Sequence, residues 1–236
     1  MKTIILCGGL GSRLSEETKT KPKPMVRIGG LPILLHIISI YKSYGFKDFI
    51  LATGYKSEYI KKYFSKKLIK KLNCNIKVVF TGKKTMTGGR VLRLKKFFKS
   101  NENFMMTYGD GLTGQNLKNL VKFHLKSKKL ATVTAVRPPI RFGEISLKGK
   151  LVNDFREKIQ SNKGWINGGY FVLNYKIFKF IKNDQTMFEK EPMQKLVFKN
   201  QLAAFKHKKF WHCIDTMRDK AVVENIIKTG KVPWKK

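Results

Sequence analysis

Lys2-Thr3-Ile4-Ile5-Leu6-Cys7 runs directly into Gly8-Gly9-Leu10-Gly11-Ser12-Arg13-Leu14. The first six residues read as an apolar strand, and the glycine run that follows it marks the first turn of an α/β sheet. Glycines at that point let bare backbone N–H groups approach phosphate oxygens closely. Ligands of open α/β sheets bind at the carboxyl ends of the strands, which is where this loop falls. The segment matches neither usual nucleotide fingerprint: Gly9-Leu10-Gly11 lacks the third glycine of G-x-G-x-x-G, and no G-x-x-x-x-G-K-[ST] is present. The ordinary alternative is a tight strand-to-helix turn. Arg13, able to grip phosphate through two N–H groups, favours the phosphate reading.

Outward from this loop, short apolar runs alternate with helical patterns, the mark of parallel strands joined by crossover helices. Pro32–Tyr44 carries Ile33, Leu34, Ile37, Ile38 and Tyr41 at helical spacing, with Gly45 as its stop. Asp48–Thr53 and Asn75–Phe80 read as strands, with Ser57–Phe64 a helix between them. Thr87–Lys99 and Asn116–Lys126 read as helices around the strand Phe104–Tyr108, and Ala131–Arg137 as a further strand. In the last third, Gly143–Leu147, Leu151–Phe155 and Gly168–Leu173 suggest strands, and Phe188–Lys199 and Met217–Thr229 helices. The expectation is an α/β fold with a mostly parallel, mixed sheet flanked by helices and a small β extension. No repeat or linker divides the chain, so a single domain over residues 1–236 is expected.

Composition narrows the function. With 42% hydrophobic and 12% aromatic residues, 236 residues can build a real core, which excludes disorder. The longest apolar run, Leu31–Tyr41, is interrupted by Pro32, His36 and Ser39 and falls short of the roughly 18–20 residues of a membrane span. Cys7, Cys74 and Cys213 are scattered and odd in number, against both a disulfide framework and a zinc site. No secretory leader precedes the glycines, so a reduced, cytoplasmic protein is expected.

The formal charge of +35 invites a nucleic-acid reading. Only eight of the 50 cations are arginine, however, and the lysines are spread from Lys2 to Lys236. Base readers favour arginine and dedicated binders cluster their cations. The charge therefore reads as compositional, and neither a nucleic acid nor a membrane is expected as a partner.

Lys21-Pro22-Lys23-Pro24 presents two cations on an extended backbone, since each proline keeps the preceding lysine out of a helix. That suits a polyphosphate; a charged surface linker is the plainer reading. Acids are scarce, at 15 in all, and six are aspartates. Asp110 ends an apolar strand between Gly109 and Gly111, and Asp215 leaves the apolar stretch Trp211-His212-Cys213-Ile214. Brought together, these carboxylates can hold a Mg²⁺ that also takes phosphate oxygens. A turn role for Asp110 and a helix-capping role for Asp215 compete with that reading, and spacing alone does not decide. The four histidines show no ligand spacing, and no G-x-S-x-G elbow is present.

Taken together, LCGGLGSRLSEET, KPKPMVRIGGLPIL, TGKKTMTGGR, TYGDG, RFGEI, INGGYFVLN, FWHCIDTMRDK and the closing PWK resemble the sugar-1-phosphate nucleotidyltransferases over nearly the whole chain. TMTGGR and IDTMRDK point to their cytidylyl branch. The resemblance implies a Rossmann-like nucleotidyltransferase core, CTP or another NTP and glucose 1-phosphate or another sugar 1-phosphate as substrates, Mg²⁺ as cofactor, and a homo-oligomer. It assigns Leu6, Cys7, Gly8, Gly9, Leu10, Gly11, Ser12 and Arg13 to the nucleotide, together with Lys23, Thr85, Arg90 and Gly109. Arg13 and Lys23 become the catalytic cations, and Asp110 and Asp215 the Mg²⁺ ligands. Lys158, Asn167 and Gly168 fall where the family holds the sugar phosphate. Three features depart from the pattern. Thr85 stands where this branch usually has serine, Ile159 follows Glu157-Lys158 where it has proline, and the segment before TGGR is shortened around residues 65–80.

Overall fold

The computed structural model describes residues 1–137, 144–156 and 164–235. Seven strands make the central sheet: β1 (Lys2–Cys7), β2 (Asp48–Thr53), β3 (Asn75–Phe80), β4 (Asn103–Tyr108), β5 (Ala131–Val136), β6 (Ile166–Asn174) and β7 (Leu202–His207). Their spatial order is β7-β5-β6-β4-β1-β2-β3. β1 pairs in parallel with β2 and β4, β3 with β2, and β7 with β5, whereas β6 runs antiparallel to both its neighbours. The sheet is thus mixed, as the sequence suggested.

The central strands β1, β2 and β4 are covered on both faces, which is why they read as continuous apolar runs. Successive side chains point to opposite faces. Ile5 and Cys7, Phe49 and Leu51, Met105, Tyr170 and Val172 pack on one face. They meet α1 (Ile33–Ser43), α2 (Ser57–Tyr63), and Leu117 and Leu120 of a helix at Leu117–Ser127. Ile4 and Leu6, Ile50 and Ala52, Phe104 and Met106, Phe171 and Leu173 pack on the other. There they meet Val91, Leu94, Ile177, Phe178 and Leu196. Truncating a fully buried ring such as Phe49 or Phe104 would cost about 3–5 kcal/mol.

The remaining elements differ from expectation in instructive ways. Lys66–Leu72 forms a helix, α3, within the segment read as a short passage; Ser65 caps it by accepting from the Leu68 N–H. Four lysines in its seven residues hid it, yet Leu68, Ile69 and Leu72 pack on the core. α4 covers only Thr87–Arg93, and the chain then tightens into a 3₁₀ turn at Lys95–Phe97. The helix expected from Phe188 begins at Glu191, because Pro192 sets its first turn. That helix, Glu191–Phe198, follows the crossover helix α5 (Leu117–Ser127) and is numbered α6; α7 is Met217–Lys228. The β extension is the hairpin Glu144–Lys148 with Leu151–Arg156. Among the described residues no helix is long and apolar enough to cross a membrane.

Candidate active site

The carboxyl ends of β1 and β4 and the amino end of the antiparallel β6 open onto one cleft of about 1310 Å³. Its first wall is the glycine loop. Gly8 rests on Arg90, which is 4% exposed: a Cβ on Gly8 would lie 2.2 Å from the Arg90 Cζ. The guanidinium donates to the carbonyls of Gly8 (2.9 Å), Thr53 (3.1 Å) and Gly82 (2.7 Å) and to Thr81 Oγ1 (2.9 Å). Gly11 adopts φ +68°, and its missing side chain leaves room for Lys23 Cβ, 2.8 Å from where a Cβ would stand. Thr18 Oγ1 lies 3.1 Å from the carbonyls of both Gly11 and Leu14, tying down the turn behind the loop. Leu6, Cys7, Gly8, Gly9, Gly11, Ser12 and Arg13 all line the cleft. Leu10 is 65% exposed and lies outside that lining.

Opposite the loop, a two-stranded ladder brings the scarce aspartates together. Gly111–Thr113 pairs antiparallel with Trp211–Cys213, matching Cys213 to Gly111. The Ile214 N–H continues the pairing by donating to the Asp110 carbonyl at 2.9 Å. Residues a hundred positions apart in sequence are thereby fixed side by side. Donor atoms of Asp110, Cys213 and Asp215 lie within 4.8 Å of one another.

Asp215 is not the cap of α7. Thr216 holds that position: its hydroxyl accepts from the Asp219 N–H at 3.2 Å, and the Asp219 carboxylate accepts from the Thr216 N–H at 2.8 Å. The same carboxylate accepts from the Asp215 N–H at 3.1 Å. The Asp215 side chain is left to face the cleft.

Lys23 joins the two acids. Its Nζ donates to Asp110 Oδ2 at 2.7 Å and also to Asp215 Oδ1. Arg13 Nη1 reaches Asp215 Oδ2 at 3.0 Å from a largely exposed side chain. Burial pulls the Lys23 ammonium down, but Asp110 and Asp215 outweigh it and hold its pKa above the usual lysine value. Burial pushes Asp215 up, and Lys23 with Arg13 outweighs that and holds it below the usual carboxylate value.

The third wall is polar. Asn167 and Gly168 line it, and Asn167 Nδ2 donates to the Tyr108 hydroxyl at 3.3 Å. Tyr108 in turn donates to Glu189 Oε1 at 2.6 Å, and Thr87 Oγ1 to Glu189 Oε2 at 2.6 Å. Trp211 Nε1 donates to the Gly168 carbonyl at 2.7 Å. Thr85 and Gly109 line the same cleft; at Gly109 a Cβ would strike Pro24 and the Leu6 carbonyl. Lys158 and the start of RFGEI lie outside the described residues. Sequence reading missed Glu189, Thr87, Tyr108 and Trp211. Glu189 carried one usable signal, its membership of a set of only 15 acids.

Three of the four histidines serve the framework, and the fourth, His212, lines the cleft with its Nε2 3.5 Å from Asp219 Oδ1. His36 Nε2 lies 3.0 Å from the Ile28 carbonyl, His124 Nδ1 2.9 Å from Thr132 Oγ1, and His207 Nε2 3.0 Å from the Phe210 carbonyl. Burial lowers the pKa of all three.

A glycine loop, two converging carboxylates and the cations paired with them meet at one end of the sheet, and known proteins share the sequence and fold that build this arrangement. The family described as nucleotidyl transferase matches residues 2–221. The chain is 43% identical to a glucose-1-phosphate cytidylyltransferase of Salmonella typhimurium, covering 100% of this chain and 99% of the relative. That alignment runs over 254 positions, so gaps fall opposite the 236-residue chain. A D-glycero-alpha-D-manno-heptose 1-phosphate guanylyltransferase of Campylobacter jejuni is 35% identical over 85% of this chain and 86% of its own. Among solved structures, HddC from Yersinia pseudotuberculosis superposes with a TM-score of 0.76 at 26% identity, covering 96% of this chain and 99% of that one. The chain belongs to the nucleotidyl transferase family, as a sugar-1-phosphate nucleotidyltransferase.

Proposed function

We propose that this enzyme transfers the cytidylyl group of CTP to α-D-glucose 1-phosphate, giving CDP-glucose and pyrophosphate, with Mg²⁺ as its cation. The observation that carries the reading is the convergence of Asp110, Asp215 and Lys23 beside the glycine loop. The choice of CTP and glucose 1-phosphate is supported by the full-length likeness to the Salmonella typhimurium relative. A cleft of about 1310 Å³ exceeds the about 300–1,000 Å³ of a typical ligand pocket and suits two substrates.

A phosphate oxygen of the sugar 1-phosphate attacks the α-phosphorus of CTP as the bond to the bridging β-phosphate oxygen breaks. That nucleophile is already ionised at neutral pH, so no general base is required. The protein's task is positioning and charge neutralisation. The loop N–H groups face the nucleotide phosphates, and Arg90 holds the loop in shape from beneath. Asp110 and Asp215 offer the hard oxygens that Mg²⁺ prefers, so the residues fit the ion. Held by these two carboxylates, the ion would supply positive charge against the phosphates. Lys23 and Arg13 stabilise charge moving toward pyrophosphate. Asn167 and Gly168, with Lys158, serve the sugar-phosphate side, where the Tyr108–Glu189–Thr87 chain offers polar partners to sugar hydroxyls.

The test is pyrophosphate release with Mg²⁺ across CTP, UTP, dTTP and GTP, each with glucose 1-phosphate and with other sugar 1-phosphates. The expected outcome is the highest kcat/KM for CTP with glucose 1-phosphate. A higher value for another pair would reassign the substrates, and no release from any pair would remove the reading.

A further inference from the structure

One residue of the cation cluster has no place in the reaction above. Cys213 precedes Asp215 by two positions, and two residues so spaced on an extended segment share a face. Its register partner is Gly111, which brings no side chain to compete for that space. The Cys213 sulfur and the Asp110 and Asp215 oxygens consequently lie within 4.8 Å of one another, with Cys213 half-buried on the wall of the cleft. The other thiols are not comparable. Cys7 is 1% exposed with its Sγ 3.4 Å from the Ile5 carbonyl, and Cys74 is half-buried with its Sγ 3.4 Å from the Leu72 carbonyl.

A thiol is a poor ligand for Mg²⁺, which prefers hard oxygens, and a good one for softer cations. We infer that Asp110, Cys213 and Asp215 form a mixed oxygen–sulfur site that captures thiophilic divalent cations of the Zn²⁺ and Cd²⁺ class. The inference rests on the proposed role of the two carboxylates as the catalytic cation's ligands and adds the sulfur to them. As the metal–sulfur bond forms, the thiol proton passes to solvent. Capture takes both carboxylates away from Lys23 and from the nucleotide's own cation. A thiophilic cation is therefore an inhibitor that acts at the reaction centre.

The experiment is a Cd²⁺ titration of the full chain, followed by the ultraviolet thiolate-to-Cd²⁺ charge-transfer band, on wild type, Cys213→Ser and Asp110→Asn. The wild type should show a saturable band that Cys213→Ser loses. Asp110→Asn should weaken Cd²⁺ binding by no less than the about 10–100-fold that loss of even an outer-shell partner costs a metal site. A band retained in Cys213→Ser assigns the sulfur to Cys7 or Cys74 and overturns the inference. Unchanged Cd²⁺ affinity in Asp110→Asn means a thiol acting without the carboxylates, and overturns it equally. Pyrophosphate release with Mg²⁺ alone, measured on the same Asp110→Asn protein, tests the proposed reaction separately. The failure of one reading thus leaves the other readable.

Discussion

Lys23 and Asp215 stabilise each other, and the sign of their pH dependence follows from their shifts. Asp215 is held below the usual carboxylate value, so its contribution to stability is present above about pH 4 and is lost as pH falls through the folded-state value. Lys23 is held above the usual lysine value, so its contribution is present below about pH 10.4 and is lost as pH rises through the folded-state value. Lys23→Met should therefore differ most from wild type in urea midpoint between about pH 5 and 9, with the gap narrowing at both ends. A gap that is constant with pH would mean the ion pairs contribute nothing. Arg90 acts by another route. Its guanidinium satisfies buried carbonyls of Gly8, Thr53 and Gly82, and Arg90→Ala strands them. Loss of at least about 2 kcal/mol of unfolding free energy is expected, together with a raised KM for the nucleotide as the loop loosens.

At the scale of elements, the ladder between Gly111–Thr113 and Trp211–Cys213 makes the site, and it was the least legible part of the sequence. Three-residue strands carry too little periodicity to read, and nothing local says that residue 110 pairs with residue 214. The glycine loop was legible because the strand, the turn and Arg13 are contiguous. Strands β1, β2 and β4 were legible because both their faces are buried. β7, Leu-Ala-Ala-Phe-Lys-His, was not: it lacks β-branched residues and owes its place to pairing with β5. The capping of α7 by Thr216 was hidden for a related reason, since two adjacent residues could both cap and only packing chooses. Thr216→Ala should cost about 1 kcal/mol in stability. It should also raise the Mg²⁺ concentration needed for half-maximal rate, because Asp219 steadies Asp215 through the same cap. An unchanged Mg²⁺ dependence would separate the cap from the site.

Across the whole molecule, the charge of +35 and the chemistry divide cleanly. Among the described residues four cations line the cleft: Arg13 and Lys23 are paired with acids, Arg90 is turned onto carbonyls, and Arg218 stands at the start of α7. If the rest steer anionic substrates toward the cleft, kcat/KM should fall as salt screens their field. What the fold builds is one place where a lysine, an arginine and two aspartates meet the ends of buried strands. The direct test of that account is the rate of CDP-glucose formation from CTP and glucose 1-phosphate by Asp110→Asn, with circular dichroism confirming a folded protein. The account predicts a fall in kcat of about 10²–10³-fold or more, as for other groups that neutralise transition-state charge. Turnover close to wild type in the folded variant would contradict it.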